Sequence, residues 1–154
     1  MTSSLRGPRS FLFSLALVSA VAMSAEAQPA SDLDRGLDRL VIDYTRLYTR
    51  DSLSRWRELF LPIFTSTSTT ADGGVSARSL SEFYAAQERA FAQAKRMGER
   101  LENVRTERRG RIATVGADFV FWYDADERRG WLVLTAILDR GVWRFSSLMF
   151  SYHE

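Results

Sequence analysis

Phe119-Val120-Phe121-Trp122-Tyr123, Trp131-Leu132-Val133-Leu134-Thr135-Ala136-Ile137-Leu138 and Val142-Trp143-Arg144-Phe145 decide the fold. Each is a run of strand length rich in β-branched and aromatic residues. Turn formers separate them: Asp124-Ala125-Asp126-Glu127-Arg128-Arg129-Gly130 after the first run, Asp139-Arg140-Gly141 after the second. The last third of the chain, Arg100 to His153, therefore reads as an antiparallel meander. A fourth strand lies within Leu101 to Val115, and its end has two readings. The chain turns at Arg109-Gly110, or it runs on past an irregularity there and turns at Gly116-Ala117-Asp118. The second is preferred, because Gly-Ala-Asp before five large apolar residues has the form of a turn feeding a strand.

What precedes the meander reads as its cover. Ser31 is placed to cap a helix with Asp34 three positions on. Leu33, Leu37, Leu40, Val41, Tyr44, Leu47 and Tyr48 recur at helical spacing and share one face. A shorter helix from Asp51-Ser52 is expected to carry Trp56, Leu59 and Phe60 inward until Pro62 stops it. Ile63 to Thr70 reads as a strand, with Asp72-Gly73-Gly74 turning into a return strand at Val75-Ser76-Ala77. Ser79-Leu80-Ser81-Glu82 is a capping box. The helix it opens turns Phe83, Tyr84, Gln87, Ala90, Phe91 and Ala94 inward and is expected to end near Met97-Gly98.

Composition is that of one globular domain, 26% charged and 45% hydrophobic. Residues 1–27 stand apart. Arg6 and Arg9 precede an apolar stretch from Phe11 to Met23, and Ala25-Glu26-Ala27 has the small-x-small form of a cleavage site. A secretory signal peptide cut after Ala27 is expected, leaving 28–154 as one exported domain, periplasmic or secreted, with no stable membrane anchor. There is no cysteine, so neither a lipidated cysteine at the cut nor a disulfide enters this expectation. With Arg6, Arg9 and Glu26 set aside, the remaining charge is nearly balanced, and the sequence pI of about 9.3 says little about nucleic acid. Arg105, Arg108, Arg109, Arg111, Arg128 and Arg129 are interleaved with Glu102, Glu107, Asp124, Asp126 and Glu127. A solvated sheet rim accounts for that pattern better than a nucleic-acid site.

The order helix, helix, hairpin, helix, four-stranded meander, together with Asp51-Ser52-Leu53-Ser54-Arg55-Trp56-Arg57-Glu58-Leu59-Phe60, Ser81-Glu82-Phe83-Tyr84 and Arg140-Gly141-Val142-Trp143-Arg144-Phe145, resembles the nuclear transport factor 2-like superfamily. That superfamily includes ketosteroid isomerases and SnoaL-like cyclases. The resemblance covers essentially all of 28–154 and implies an α+β cone, a curved antiparallel sheet with three helices packed on its concave face. It also implies a mostly apolar pocket and frequent dimerisation through the sheet's other face. Many activities share this cone, so function rests on the pocket residues.

Ketosteroid isomerase chemistry needs a carboxylate base and an oxyanion hole of tyrosine and protonated aspartic acid. Laid on that pattern, the base falls at or near Ser68, the acid near Leu134, and the tyrosine at Asp43, one residue from Tyr44. Two of the three parts are missing, so that reaction is not expected. An isomerase, cyclase or hydrolase of the same architecture would draw on Tyr44, Asp118 or His153, with Asp43 a further candidate. His153 is the only histidine, and no metal or cofactor is implied. Tyr44, Tyr48, Trp56, Phe60, Phe64, Tyr84, Trp122 and Trp143 are a large aromatic set for this length. With Ser68, and with Ser66 and Thr70 as further polar groups, they suit a pocket for a small apolar or aromatic molecule. Ordinary packing and a dimer face account for them equally well.

Overall fold

The computed structural model describes residues 31–70 and 72–153; the expected leader lies outside them. Helix α1 (Asp32–Arg46) starts at the Ser31–Asp34 capping box, and a short 3-10 turn (Arg50–Ser52) leads into α2 (Leu53–Arg57). Strands β1 (Phe60–Thr69) and β2 (Val75–Ser79) form the hairpin, followed by α3 (Leu80–Gln93). The meander is β3 (Met97–Arg109), β4 (Ile112–Tyr123), β5 (Asp126–Asp139) and β6 (Val142–Tyr152). The strand order is β2-β1-β6-β5-β4-β3. The sheet is mixed: β1 runs parallel to β6, and every other neighbouring pair is antiparallel.

The helices pack on one face of this sheet, as the resemblance implies. Inward side chains alternate along each strand: Ala113, Val115, Ala117 and Phe119 on β4, and Leu132, Leu134, Ala136 and Leu138 on β5, are all buried. Register breaks bend the sheet between Glu102 and Arg105 on β3, and between Thr135 and Ala136 on β5. At the first, Asn103 sits at φ 52°. Such bulges add twist and curl a sheet around what it covers. Arg108, far along β3, reaches Asp34 at the start of α1 with Nε to Oδ1 at 2.6 Å.

Four local expectations are corrected. The chain turns at Gly110-Arg111, not at Gly116: Arg109 pairs with Ile112, and Gly110 takes φ 61°, a conformation glycine adopts without strain. Gly116 is an ordinary position inside β4, opposite Arg105 and Val133. The turn after Tyr123 is only Asp124-Ala125, and Arg128 to Gly130 already belong to β5. Pro62 does not stop a helix. It lies in β1 where pairing with β6 lapses between Phe60 and Thr65, so its missing N–H breaks no ladder. Helix α3 ends at Gln93 rather than near Gly98. Arg50 bonds the Phe91 and Ala94 carbonyls, while the Lys95 and Arg96 N–H groups donate to Asp124 Oδ1 at 2.6 and 3.0 Å. Gly98 serves β3 instead, where a Cβ would stand 2.4 Å from the Trp122 ring.

Gly130 carries a sharper version of this constraint. A Cβ there would lie 2.3 Å from the Ser151 carbonyl oxygen and 2.5 Å from Phe119 Cζ, both buried between strands. Gly130→Ala is expected to lower stability by about 1–3 kcal/mol through overpacking. Urea denaturation reads this as a lower midpoint, and an unchanged midpoint would show that β5 and β6 separate freely there.

Candidate functional site

The sheet's curvature leaves a cavity of about 340 Å³ between its concave face and the helices. Its deep wall is made of Tyr44, Trp56, Phe119, Leu132 and Leu148, all buried. Thr69, Arg78 and Tyr152 are exposed lining residues and mark the rim. From α3 come Phe83, Gln87 and Ala90, and from β3 and β4 come Met97, Glu99 and Phe121. The wall is thus largely aromatic, with polar groups at a few points, the usual make-up of a small-molecule site.

Local structure sets the orientation of each tyrosine. The Trp56 Nε1–H donates to the Tyr44 carbonyl at 2.9 Å, fixing the end of α1 against α2. The Tyr48 hydroxyl donates to Gln87 Oε1, which joins α1's end to α3. Tyr152 packs edge-on against Phe119 at 5.4 Å, with Arg128 over its other surroundings at 5.7 Å from the ring centroid. Burial, with the Glu99 charge next in weight, raises the pKa of Tyr44, Tyr48 and Tyr152. Their hydroxyls therefore remain neutral donors across the physiological range.

Glu99 is the titratable group at the centre of the site. It lies in β3 opposite Phe121, with Met97 and Leu101 as its same-face neighbours. Burial lifts its carboxyl from the ordinary 4.5 to about 7, against the Tyr44 hydroxyl, which acts in the other direction. Its Oε1 is shielded from solvent and has no hydrogen-bond partner. No salt bridge to it exists among the described residues. An ionised carboxylate in such a place is costly unless something supplies the missing donor or charge.

Of the residues singled out from sequence, Tyr44, Tyr48, Trp56 and Ser68 line the cavity. Phe60 and Phe64 lie behind its wall, Phe60 packed edge-to-face with Trp56 and with Phe64 at 4.6 Å each. Trp143 is buried at the far end of α1, where its Nε1–H donates to the Leu33 carbonyl at 2.9 Å. Tyr84 sits under the Arg57 guanidinium, outside the cavity. Trp122 and Asp118 point to the sheet's outer face, because Phe119 and Phe121 point in. Trp122 is flanked by Arg96, and Asp118 accepts from Asn103 Nδ2 at 2.7 Å. Asp43 is held by Arg46 and Arg39 on the polar side of α1. His153 borders a separate surface groove with Glu127, Arg128 and Arg129. Leu134 is packed in the core.

Sequence reading missed Glu99, because it treated Met97-Gly98 as a helix end. The usable signal was an acidic residue alternating with Met97 and Leu101, an apolar period of two interrupted by one carboxyl. Among the described residues no group of three or more His, Asp or Glu stands close enough together to hold a metal ion. Several of the arginines on the rim pair with acids, Arg109 with Glu107 at 2.7 Å and Arg100 with Glu102 at 2.9 Å.

No family model and no curated protein matches this chain. Solved structures do. A nuclear transport factor 2-like protein of unknown function from Shewanella baltica is 12% identical, with a TM-score of 0.63 over 82% of this chain and 99% of that one. Another of unknown function from Silicibacter pomeroyi is 22% identical, with a TM-score of 0.56 over 77% and 94%. A protein of Novosphingobium aromaticivorans provisionally named a scytalone dehydratase is 13% identical, with a TM-score of 0.61 over 78% and 83%. These likenesses establish the shared fold.

The Glu99 carboxyl makes stability depend on pH in a definite direction. Its folded pKa lies above the ordinary value, so the native protein holds this proton more tightly than the unfolded chain, and stability falls as pH rises from 4.5 through about 7. Glu99→Gln, neutral throughout, is expected to match the parent near about pH 4 and to exceed it by roughly 3 kcal/mol at about pH 8. Urea denaturation at the two pH values checks this. An equal difference at both would place the carboxyl in water.

Proposed function

We propose that this chain, with its nuclear transport factor 2-like fold, binds a small, largely apolar or aromatic molecule in the cavity of its cone. The observation that carries the reading is a cavity of about 340 Å³ walled by aromatic rings and entered beside Ser68, Thr69 and Arg78. A volume in this range fits one or two rings rather than a peptide. The reading includes export: the domain works outside the cytoplasm after loss of residues 1–27. Native mass spectrometry of protein recovered from outside the cytoplasm tests both parts. A mass beginning at Gln28 is expected, together with a bound small compound that is absent from Ala90→Trp, in which an indole fills the cavity. Retained residues 1–27 would overturn export. Failure of the wild-type protein to carry or take up any compound from a panel of small aromatics would overturn binding.

A second reading, an enzyme of the isomerase or cyclase kind, gains one specific support in Glu99, a carboxyl whose pKa near neutrality suits proton transfer. It shifts the chemistry away from Asp118 and His153, which lie outside the cavity. Turnover of a bound compound by the wild-type protein, lost in Glu99→Gln, would favour it, and binding without turnover would count against it.

We also propose a homodimer through the sheet's outer face. Trp131 is 51% exposed and Met149 52%, and Met149 is in register with Val133, so an apolar strip crosses β5 and β6 on that side. Trp131→Glu is expected to convert a species of twice the chain mass into one of the chain mass in size-exclusion chromatography with light scattering. A wild-type protein that is monomeric at every concentration would remove this reading.

A further inference from the structure

We propose that the ligand of this cavity carries a protonated amine which pairs with Glu99 while its apolar body lies against the aromatic wall. The inference rests on the small-molecule reading above and names the chemical class. It begins with what Glu99 lacks. Its Oε1 is shielded from solvent, and among the described residues that oxygen has no hydrogen-bond partner and no basic side chain pairs with the carboxyl. The donors around it are committed or few. The Tyr48 hydroxyl is spent on Gln87, and Tyr44 acts alone on the carboxyl.

The rest of the wall suits a cation as well. Trp56, Phe119, Phe121 and Tyr44 line the same space, and an ammonium group over the face of a desolvated ring is attracted by its quadrupole. An ammonium would complete the buried pair that the protein leaves half made. An anionic ligand would meet uncompensated repulsion at the same point. The volume suits an amine on a short arm carried by about one or two rings.

Ionisation of Glu99 governs such a pair. From α1 and the residues just after it, the buried Tyr44 and Tyr48 face the carboxyl, and from β6 Tyr152 does so at the rim. Helix α3 offers only the uncharged Gln87, and β4 offers Phe119 and Phe121. Arg78 stands at the rim on β2 and Arg128 over the Tyr152 ring. The carboxyl is the group whose ionisation the test below follows.

The test compares 2-phenylethylamine with 2-phenylethanol, which has nearly the same shape, by following Trp fluorescence and calorimetry at about pH 5.5 and about pH 8.5 in the wild-type protein and in Glu99→Gln. The amine is expected to bind about tenfold tighter than the alcohol at the higher pH, and to lose that preference at the lower. Glu99→Gln is expected to abolish the preference, so that the amine binds no tighter than the alcohol at either pH. The wild-type pH dependence stands as a second measurement should the variant fold poorly. Equal or tighter binding of the alcohol at both pH values, or a preference that survives in Glu99→Gln, overturns the amine assignment and leaves small-molecule binding intact. Failure of both compounds to bind the wild-type protein overturns the amine assignment, and failure of the whole panel of small aromatics overturns small-molecule binding with it.

Discussion

The indole of Trp56 ties the helical cover to the sheet. Its ring lies 4.6 Å from Phe60 at the start of β1, 5.0 Å from Tyr48, 5.7 Å from Phe83 on α3 and 5.9 Å from Tyr44 on α1. Its N–H is satisfied by the Tyr44 carbonyl, so a polar group enters the core at no net cost. Only 1% of the residue is exposed. The other elements take their distances from this contact: α1 and α2 cannot close further onto the sheet, and α3 cannot slide along it. The space left beyond the indole is the cavity.

A second constraint acts through strand register. Side chains alternate across each strand, so one register fixes which residues face the helices. On β3 that face begins Met97, Glu99, Leu101, and it brings a carboxyl directly opposite Phe121 on β4, one inward position from the row that holds Leu101, Phe119 and Tyr152. The Asp124 carboxylate, by accepting from Lys95 and Arg96, pins where β3 begins. The close approach of Gly98 to Trp122 on the outer face locks the same register from behind. A slip of one residue would turn Glu99 to solvent and Arg100 inward. The buried carboxyl is therefore held in place by contacts that involve neither it nor the cavity.

Such a carboxyl is a standing cost to the fold. A core formed for stability alone would carry leucine or methionine at position 99, as it does at Leu101 and Met97. Buried ionisable groups with displaced pKa values concentrate at functional sites, although structural networks also produce them. Here, among the described residues, no basic group joins the carboxyl: Tyr44 is the hydrogen-bonding group that acts on Glu99, and Oε1 goes unpartnered. Function is the better account of its presence.

Alternation and turn chemistry in the meander, the two capping boxes and the amphipathic stripe of α1 are local signals, and they located the helices, the strands and most of the inward face from sequence alone, though not all the ends of those elements. Tyr44, Tyr48, Trp56 and Ser68 could be picked out for the same reason, since each lies on a periodic apolar face or a strand beside one. The parallel pairing of β1 with β6, the turn at Gly110 instead of Gly116, and the continuation of the chain through Pro62 depend on partners distant in sequence. Periodicity does not reach them. The same holds for what is core and what is cavity wall: Phe60 and Tyr44 have alike sequence contexts, and only packing against Trp56 puts one behind the wall and the other in it. Glu99 is the clearest case. A charged residue near a glycine reads as surface by its neighbours in the chain, and only the strands and helices closing around it shield that carboxyl, leave its Oε1 without a partner and raise its pKa to about 7.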